Sequence, residues 1–278
     1  MSSSRFQTGC ELTYQVTSPC AFIFNVSVVG NTFQKIVGEQ FVTEPRVPVE
    51  ESHSPMEDKR HHRLSASPGQ LQVKYAATVD LSHHVEAPGA VSQTPPGEVP
   101  ADVVPYLYPS RYCESDKLAR LAKHEFGKLQ PGFSRVTAIC NWIRDNVEYL
   151  SGTTNPLTSA YDTATERAGV CRDFAHLGIA FCRAIAIPAR FVSGYALGLV
   201  PPDFHAYFEA YLNGRWYIFD PTRLSPQTSF IRIGTGHDAA DTSFATIFGA
   251  MTMTSMKVTM ELVSGDAPQF STEAISTS

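Results

Sequence analysis

Apolar and polar residues alternate through LQVKYAATVDL. Leu71, Val73, Tyr75, Ala77, Val79 and Leu81 share one parity, and Lys74, Thr78 and Asp80 the other. This period-two pattern predicts a half-buried strand. ELTYQVT (11–17) and FIFNVSVV (22–29) read as strands in the same way, so the first hundred residues are expected to be β-rich. Between them, residues 44–69 are charged, Pro-rich and without periodicity, which predicts a loop. A second Pro-rich stretch, 86–105, predicts a linker between domains.

The period then changes. In SRVTAICNWIRDNVEY, Val136, Ile139, Cys140, Ile143 and Val147 recur at helical spacing behind Ser134, a candidate N-cap. SDKLARLAKHEFGKL ahead of it is a second amphipathic helix, with Ser115 or Asp116 as cap. A third begins at Cys171, where Phe174, Leu177, Gly178, Phe181, Cys182 and Ile185 keep the helical period until Pro188 stops it. Two short strands are expected around Leu-Asn-Gly-Arg (212–215), then an irregular region, a final strand at MKVTMELV (256–263) and a frayed tail over 269–278. The chain divides accordingly into a β-rich region (1–100), a central α+β region (101–235) and a C-terminal strand with its tail (236–278).

Composition narrows the functional classes. With 278 residues, 43% of them hydrophobic, the chain can bury a sizeable core. A net charge of −5 without any run of Lys or Arg argues against a nucleic-acid or anionic-membrane surface. The first residues lack the apolar stretch of a signal peptide, and no segment approaches the ~18 apolar residues of a membrane span. The six cysteines show no Cys-x-x-Cys spacing. Reduced thiols in a cytoplasmic protein are therefore expected, rather than a disulfide framework.

Cys171 stands apart from the other five. Cys140 and Cys182 lie in mid-helix on apolar faces and read as small hydrophobes. Cys171 lies in the first turn of its helix, where unpaired backbone N–H groups and the macrodipole favour a thiolate. A free thiol near ~8.5 can fall to about 3.5–7.5 in such a setting. Gly169 permits the tight entry that would expose the sulfur.

A nucleophilic cysteine needs a base, and the base an orienting group. Of nine histidines, the pairs at 61–62 and 83–84 lie in or beside polar sequence, and His124 lies on a charged helix. His176 sits about 140° around the helix from Cys171. His205 and His237 are the more interesting candidates. Asn213-Gly214 between apolar runs signals a two-residue hairpin turn. Leu212 then faces Arg215, Tyr207 faces Asp220, and His205 lies diagonal to Asp220 on one face, about 7–8 Å away at the backbone. A loop one residue longer would put Asp220 on the other face. Cys171 as nucleophile, His205 as base and Asp220 as orienting acid form the predicted site; Asp-Pro-Thr at 220–222 also reads as ordinary turn chemistry.

AGVCRDFAHL (168–177), FHAYFEAYLNGRWYIFDPT (204–222) and YLYPSRYCESD (106–116) resemble the transglutaminase-like superfamily, the papain-related thiol enzymes with chain order Cys, His, Asp. The resemblance is to bacterial members with a β-rich N-terminal domain. It implies an α+β fold in which a helix-borne cysteine packs on an antiparallel sheet, with residues 105–235 as the catalytic core. It also implies Cys171, His205 and Asp220 as the triad, acyl transfer on protein or peptide amides, and no cofactor. Two positions depart from the pattern. Tyr207 stands where many relatives have Trp, a change expected to reshape the substrate channel. GHDAAD (236–241) puts His237 where relatives often have Arg, and neither His237 nor Asp238 is given a role beyond support.

Two rival readings stay open on the sequence. A cysteine peptidase or amidase would use the same triad with water as acceptor. A protein-binding module would leave the triad idle. A zinc site built from Cys171, His176 and Cys182 is disfavoured because the helix separates His176 from both sulfurs, and no calcium loop or zinc spacing occurs elsewhere.

Overall fold

The computed structural model describes residues 3–54 and 58–278. The N-terminal part supplies strands β1 (Ser4–Val16), β2 (Cys20–Phe24), β3 (Gln34–Glu44), β4 (Glu50–Ser54), β5 (Lys59–Ala66), β6 (Gly69–Leu81) and β7 (His84–Glu86). The chain continues through α1 (Ser115–Phe126), α2 (Phe133–Asn146), β8 (Glu148–Tyr149), α3 (Ala160–Glu166), β9 (Ala168–Gly169), α4 (Cys171–Ala184), β10 (Ala189–Tyr195), β11 (His205–Leu212), β12 (Arg215–Phe219) and β13 (Ile231–Gly236). It closes with β14 (Ala245–Phe248), β15 (Met251–Ser264) and β16 (Ala274–Ser276).

Two four-stranded sheets, β15-β1-β6-β3 and β14-β2-β5-β4, enclose a first apolar core that includes Phe6, Leu12, Tyr14, Phe22 and Phe24. Strand β6 buries every second residue from Leu71 to Leu81, as its alternation predicts. A third sheet, ordered β12-β11-β10-β13, carries α4 against it over a second core that includes Phe174, Leu177, Phe181 and Phe208. Tyr195, Ile231 and Ile233 belong to the first core, and the Tyr195 hydroxyl donates to the Val26 carbonyl at 2.7 Å. The fold is α+β, with a β-rich N-terminal region joined to a helix-on-sheet core. No helix among the described residues is long and apolar enough to cross a membrane.

Several elements differ from the sequence pattern, each for a physical reason. The loop expected over 44–69 contains β4 and β5, which pair from Glu50↔Arg63 to Ser54↔Lys59; residues 55–57 of that stretch lie outside the described residues. Opposite charges join the two strands. Arg60 binds Glu51 at 2.7 Å and Arg63 binds Glu50 at 2.5 Å, so cross-strand ion pairs stand where apolar alternation would otherwise mark a strand. FIFNVSVV leaves the sheet after Phe24, and its buried backbone finds separate partners: Val28 N–H donates to the Tyr75 hydroxyl and Val29 N–H to the Arg232 carbonyl.

The irregular region expected after the hairpin holds β13 and β14, paired to β10 and β2. The tail is a strand rather than frayed: β16 pairs with β7, and Ala274 and Ile275 are buried. Three residues are too few to show a period. Helix α2 begins at Phe133, one residue ahead of Ser134, because Gly132 makes the turn at φ 128° and the Phe133 N–H donates to the Val91 carbonyl at 3.0 Å. A Cβ at Gly132 would lie 2.6 Å from that carbonyl oxygen, so only glycine fits. Helix α1 likewise follows Glu114, with Ser115 and Asp116 inside its first turn.

Candidate active site

Helix α4 starts at Cys171 because the residues before it cannot continue helically. Val170 is extended at φ −115°, and Gly169 passes so close to the first turn that a Cβ there would meet the Asp173 Cβ at 2.8 Å. Asp173, fully buried, reaches back to accept the Val170 N–H at 3.0 Å. Its other oxygen accepts from Arg172 Nε at 3.0 Å. An acidic residue at the third helical position thus satisfies a free N–H and complements the dipole. Cys171 is left half-buried at the first helical position.

Asn213 (φ 47°) and Gly214 (φ 79°) form the left-handed two-residue turn that the sequence signals. The register runs from Leu212↔Arg215 to Phe208↔Phe219, and its extension brings Asp220 to the foot of β11. There Asp220 Oδ2 lies 2.9 Å from His205 Nε2, with both side chains 1% exposed. Thr222 fixes the carboxylate from its other side, its backbone N–H and hydroxyl donating to Oδ1 at 2.9 and 2.8 Å. With Nε2 committed to Asp220, Nδ1 is the ring nitrogen left for the Cys171 side chain, which lies near enough to raise the His205 pKa. Burial pushes the His205 pKa down. The charge and hydrogen bond of Asp220, and then Cys171, outweigh this and push it up to about 10. The imidazolium is therefore the stable form at neutral pH. The three predicted residues meet, and the remaining nitrogen of the base faces the sulfur.

The other five cysteines are buried, whereas Cys171 is half-buried. Burial pushes the Cys113 thiol up to about 12 and raises Cys140 and Cys182 as well. His176 accepts the Ala239 N–H at Nε2 (3.1 Å) and stacks on Tyr112, and burial pushes its pKa well below the usual imidazole value. Among the described residues no group of three or more His, Cys, Asp and Glu is placed to hold a metal. His237 stacks on Tyr106 and pairs with Asp241. Asp238 accepts the Tyr112 and Ala240 N–H groups, and both residues brace the loop over α4. Tyr207 is fully buried and packs on Phe230 with ring centroids 4.6 Å apart, inside the molecule rather than in a channel.

Three contributors escape the sequence reading. Asp173 has a local signal, an acidic residue three positions after a cap that cannot itself accept a hydrogen bond. Thr222 was visible only as turn chemistry. Tyr149 has its hydroxyl beside Cys171, and lies beyond the last residue of the α2 period, where nothing local marks it.

Comparison with known proteins agrees with this architecture. Residues 120–221 match the profile of the transglutaminase-like superfamily, and residues 4–101 that of the bacterial transglutaminase N-terminal domain. A crystal structure from Cytophaga hutchinsonii, of a protein described as a candidate cysteine protease, is 46% identical with a TM-score of 0.95. The alignment covers 99% of this chain and 98% of that one. An uncharacterized protein of Mycobacterium leprae (strain TN) is 30% identical over 166 residues, covering 56% of this chain and 59% of its own length. An uncharacterized protein of Mycobacterium tuberculosis (strain H37Rv) is 32% identical over 143 residues, covering 46% and 45%. The matches thus span only about half the length of these mycobacterial relatives.

Proposed function

The chain belongs to the transglutaminase-like superfamily, and from that premise we propose that it is a thiol acyltransferase acting on protein or peptide amides through a Cys171 thioester. The observation that carries this reading is the buried His205–Asp220 pair, 2.9 Å apart, with a helix-start cysteine near enough to the imidazole to raise its pKa. His205 takes the thiol proton. The sulfur attacks the amide carbonyl to form a C–S bond, and the oxyanion accepts from the Cys171 backbone N–H. When the C–N bond breaks, the imidazolium returns its proton to the leaving amine or ammonia. An incoming amine then takes the acyl group from the thioester, its proton passing to His205. Asp220 holds the imidazole in the tautomer and orientation that both transfers require. No step calls for a metal or cofactor. The six free thiols suit a reducing compartment, and we place the protein in the cytoplasm.

The description of the Cytophaga hutchinsonii relative favours a second reading, in which water resolves the thioester and the enzyme is a peptidase or amidase. The products separate the two, an amine conjugate or a free acid. The experiment that tests the common part is the pH dependence of iodoacetamide alkylation at each cysteine, read by peptide mass spectrometry in the native protein and in His205→Ala. Fast reaction of Cys171 alone below pH 7, lost in the variant, is the expected result. An ordinary thiol profile at Cys171, near ~8.5, would favour an idle site and a binding role instead.

A further inference from the structure

Oxyanion stabilisation by one backbone N–H is half of what acyl transfer generally uses, so the site calls for a second donor. Strand β8 supplies a candidate. It pairs in parallel with β9, setting Tyr149 opposite Gly169, two residues ahead of Cys171. The Glu148 N–H donates to the Arg167 carbonyl at 2.8 Å and the Leu150 N–H to the Gly169 carbonyl at 2.9 Å, so the backbone on both sides of Tyr149 is fixed to the segment that leads into α4. The ring leans on Phe174, centroids 5.7 Å apart, one turn into the same helix. Held this way, the Tyr149 hydroxyl lies beside both the backbone N–H and the side chain of Cys171, close enough for the two groups to influence one another's charge. The side chain is 41% exposed, so it stands where substrate approaches and has room to turn.

We propose that Tyr149 is a catalytic residue, its hydroxyl being the second oxyanion donor beside the Cys171 N–H; the proposal rests on the thiol reading above. In the resting enzyme the hydroxyl stands beside the place a substrate oxygen must take against that N–H. When a carbonyl arrives there, the O–H turns to donate to its oxygen as negative charge develops. That donated hydrogen bond strengthens in the transition state, as rate acceleration requires. Burial and the neighbouring sulfur raise the tyrosine pKa, which keeps the hydroxyl protonated and able to donate throughout the working range.

The test is Tyr149→Phe, which keeps the ring on Phe174 and removes only the donor. Two rates are compared with the native protein. One is iodoacetamide alkylation of Cys171, which forms no oxyanion. The other is the acylation burst with p-nitrophenyl acetate, which does. Alkylation within about twofold and acylation slower by about 100-fold or more support the proposal, the range seen for loss of one such donor being about 10²–10³. Unchanged acylation overturns it, and so does faster acylation, which would make the tyrosine a plug. Alkylation falling as far as acylation overturns it too, since the hydroxyl would then act on the thiol. A native protein that neither alkylates selectively nor acylates overturns the thiol reading and the tyrosine's role together. A native protein that does both, and is matched by the variant, overturns the tyrosine's role alone.

Discussion

Asp220→Asn keeps the shape of the side chain and removes its charge, which isolates what the carboxylate does for His205. Both groups are 1% exposed, so water does not replace the lost interaction. An opposite charge in direct contact shifts a titrating group by about 1–3 units. At about 1.4 kcal/mol per unit, the variant loses about 1.4–4 kcal/mol of imidazolium stabilisation. Burial, the largest influence on His205, then acts with less to oppose it and drives the pKa back down. The variant's amide N–H₂ would also face Nε2 as a donor. That turns the ring to the tautomer with its proton on Nδ1, which cannot accept from sulfur. Alkylation of Cys171 at pH 6 should slow by about 10- to 1000-fold, and the two profiles should converge above pH 9, where the thiol ionises unaided. Stability gives a second readout. A raised histidine pKa contributes stability that is fully present below its unfolded value of ~6.5 and lost as pH rises through the folded value near 10. The difference in Tm between native and variant should therefore narrow between pH 6.5 and 10. Superimposable alkylation profiles, or a Tm gap that widens with pH, would refute the reasoning.

Two further substitutions test the frame that holds the site. Glu209, fully buried, accepts from Arg190 Nε at 2.8 Å and also binds Arg232, so Glu209→Gln takes away the carboxylate that two buried guanidinium groups share and, among the described residues, leaves Arg232 only the carboxylate of Asp58, at 3.5 Å. A loss of about 3–5 kcal/mol in urea denaturation is expected, and a loss below about 1 kcal/mol would show that the cluster is already relaxed or hydrated. Gly178 faces β11 so closely that an added Cβ would overlap the Phe208 ring, itself fully buried and stacked on Phe219. Gly178→Ala should lower Tm, because overpacking costs about 1–3 kcal/mol against a helix-propensity gain of up to about 1 kcal/mol; a raised Tm would contradict this.

What the sequence made legible is what local chemistry decides. The alternation of β6 is visible because one face of the strand is buried and the other is partly wet. The hairpin register follows from two residues, Asn213 and Gly214, whose turn fixes every pair above it and so places His205 near Asp220. Elements whose partners lie far away stayed hidden. Strand β4 is almost wholly exposed and held by charges on β5. Strand β16 exists because β7, some 190 residues earlier in the chain, offers it an edge. Arg232 breaks the apolar run of β13, yet is buried because Glu209 neutralises it. Tyr149 is placed by two backbone hydrogen bonds to residues about twenty positions away.

Strand β11 shows why the most informative stretch was also the easiest to misread. Along it His205, Tyr207 and Glu209 share one parity and Ala206, Phe208 and Ala210 the other, a pattern that ordinarily marks a strand with one wet face. All eight residues are buried. The face carrying Ala206, Phe208 and Ala210 belongs to the core under α4. The polar face is covered too, and the charged groups on it are matched by partners from other elements: His205 by Asp220, Glu209 by Arg190 and Arg232, and the two arginines in turn by the hydroxyl of Ser278; the Tyr207 hydroxyl between them is buried without a hydrogen-bond partner among the described residues. Covering that face costs desolvation, which the ion pairs offset only while every partner is in place. The same covering keeps water from screening Asp220 against His205, and so lets a single carboxylate hold the imidazolium. The catalytic pair and the buried charge cluster are thus two uses of one dry strand face. A change at Glu209 should weaken the fold while leaving the pH profile of Cys171 intact at temperatures where the chain stays folded.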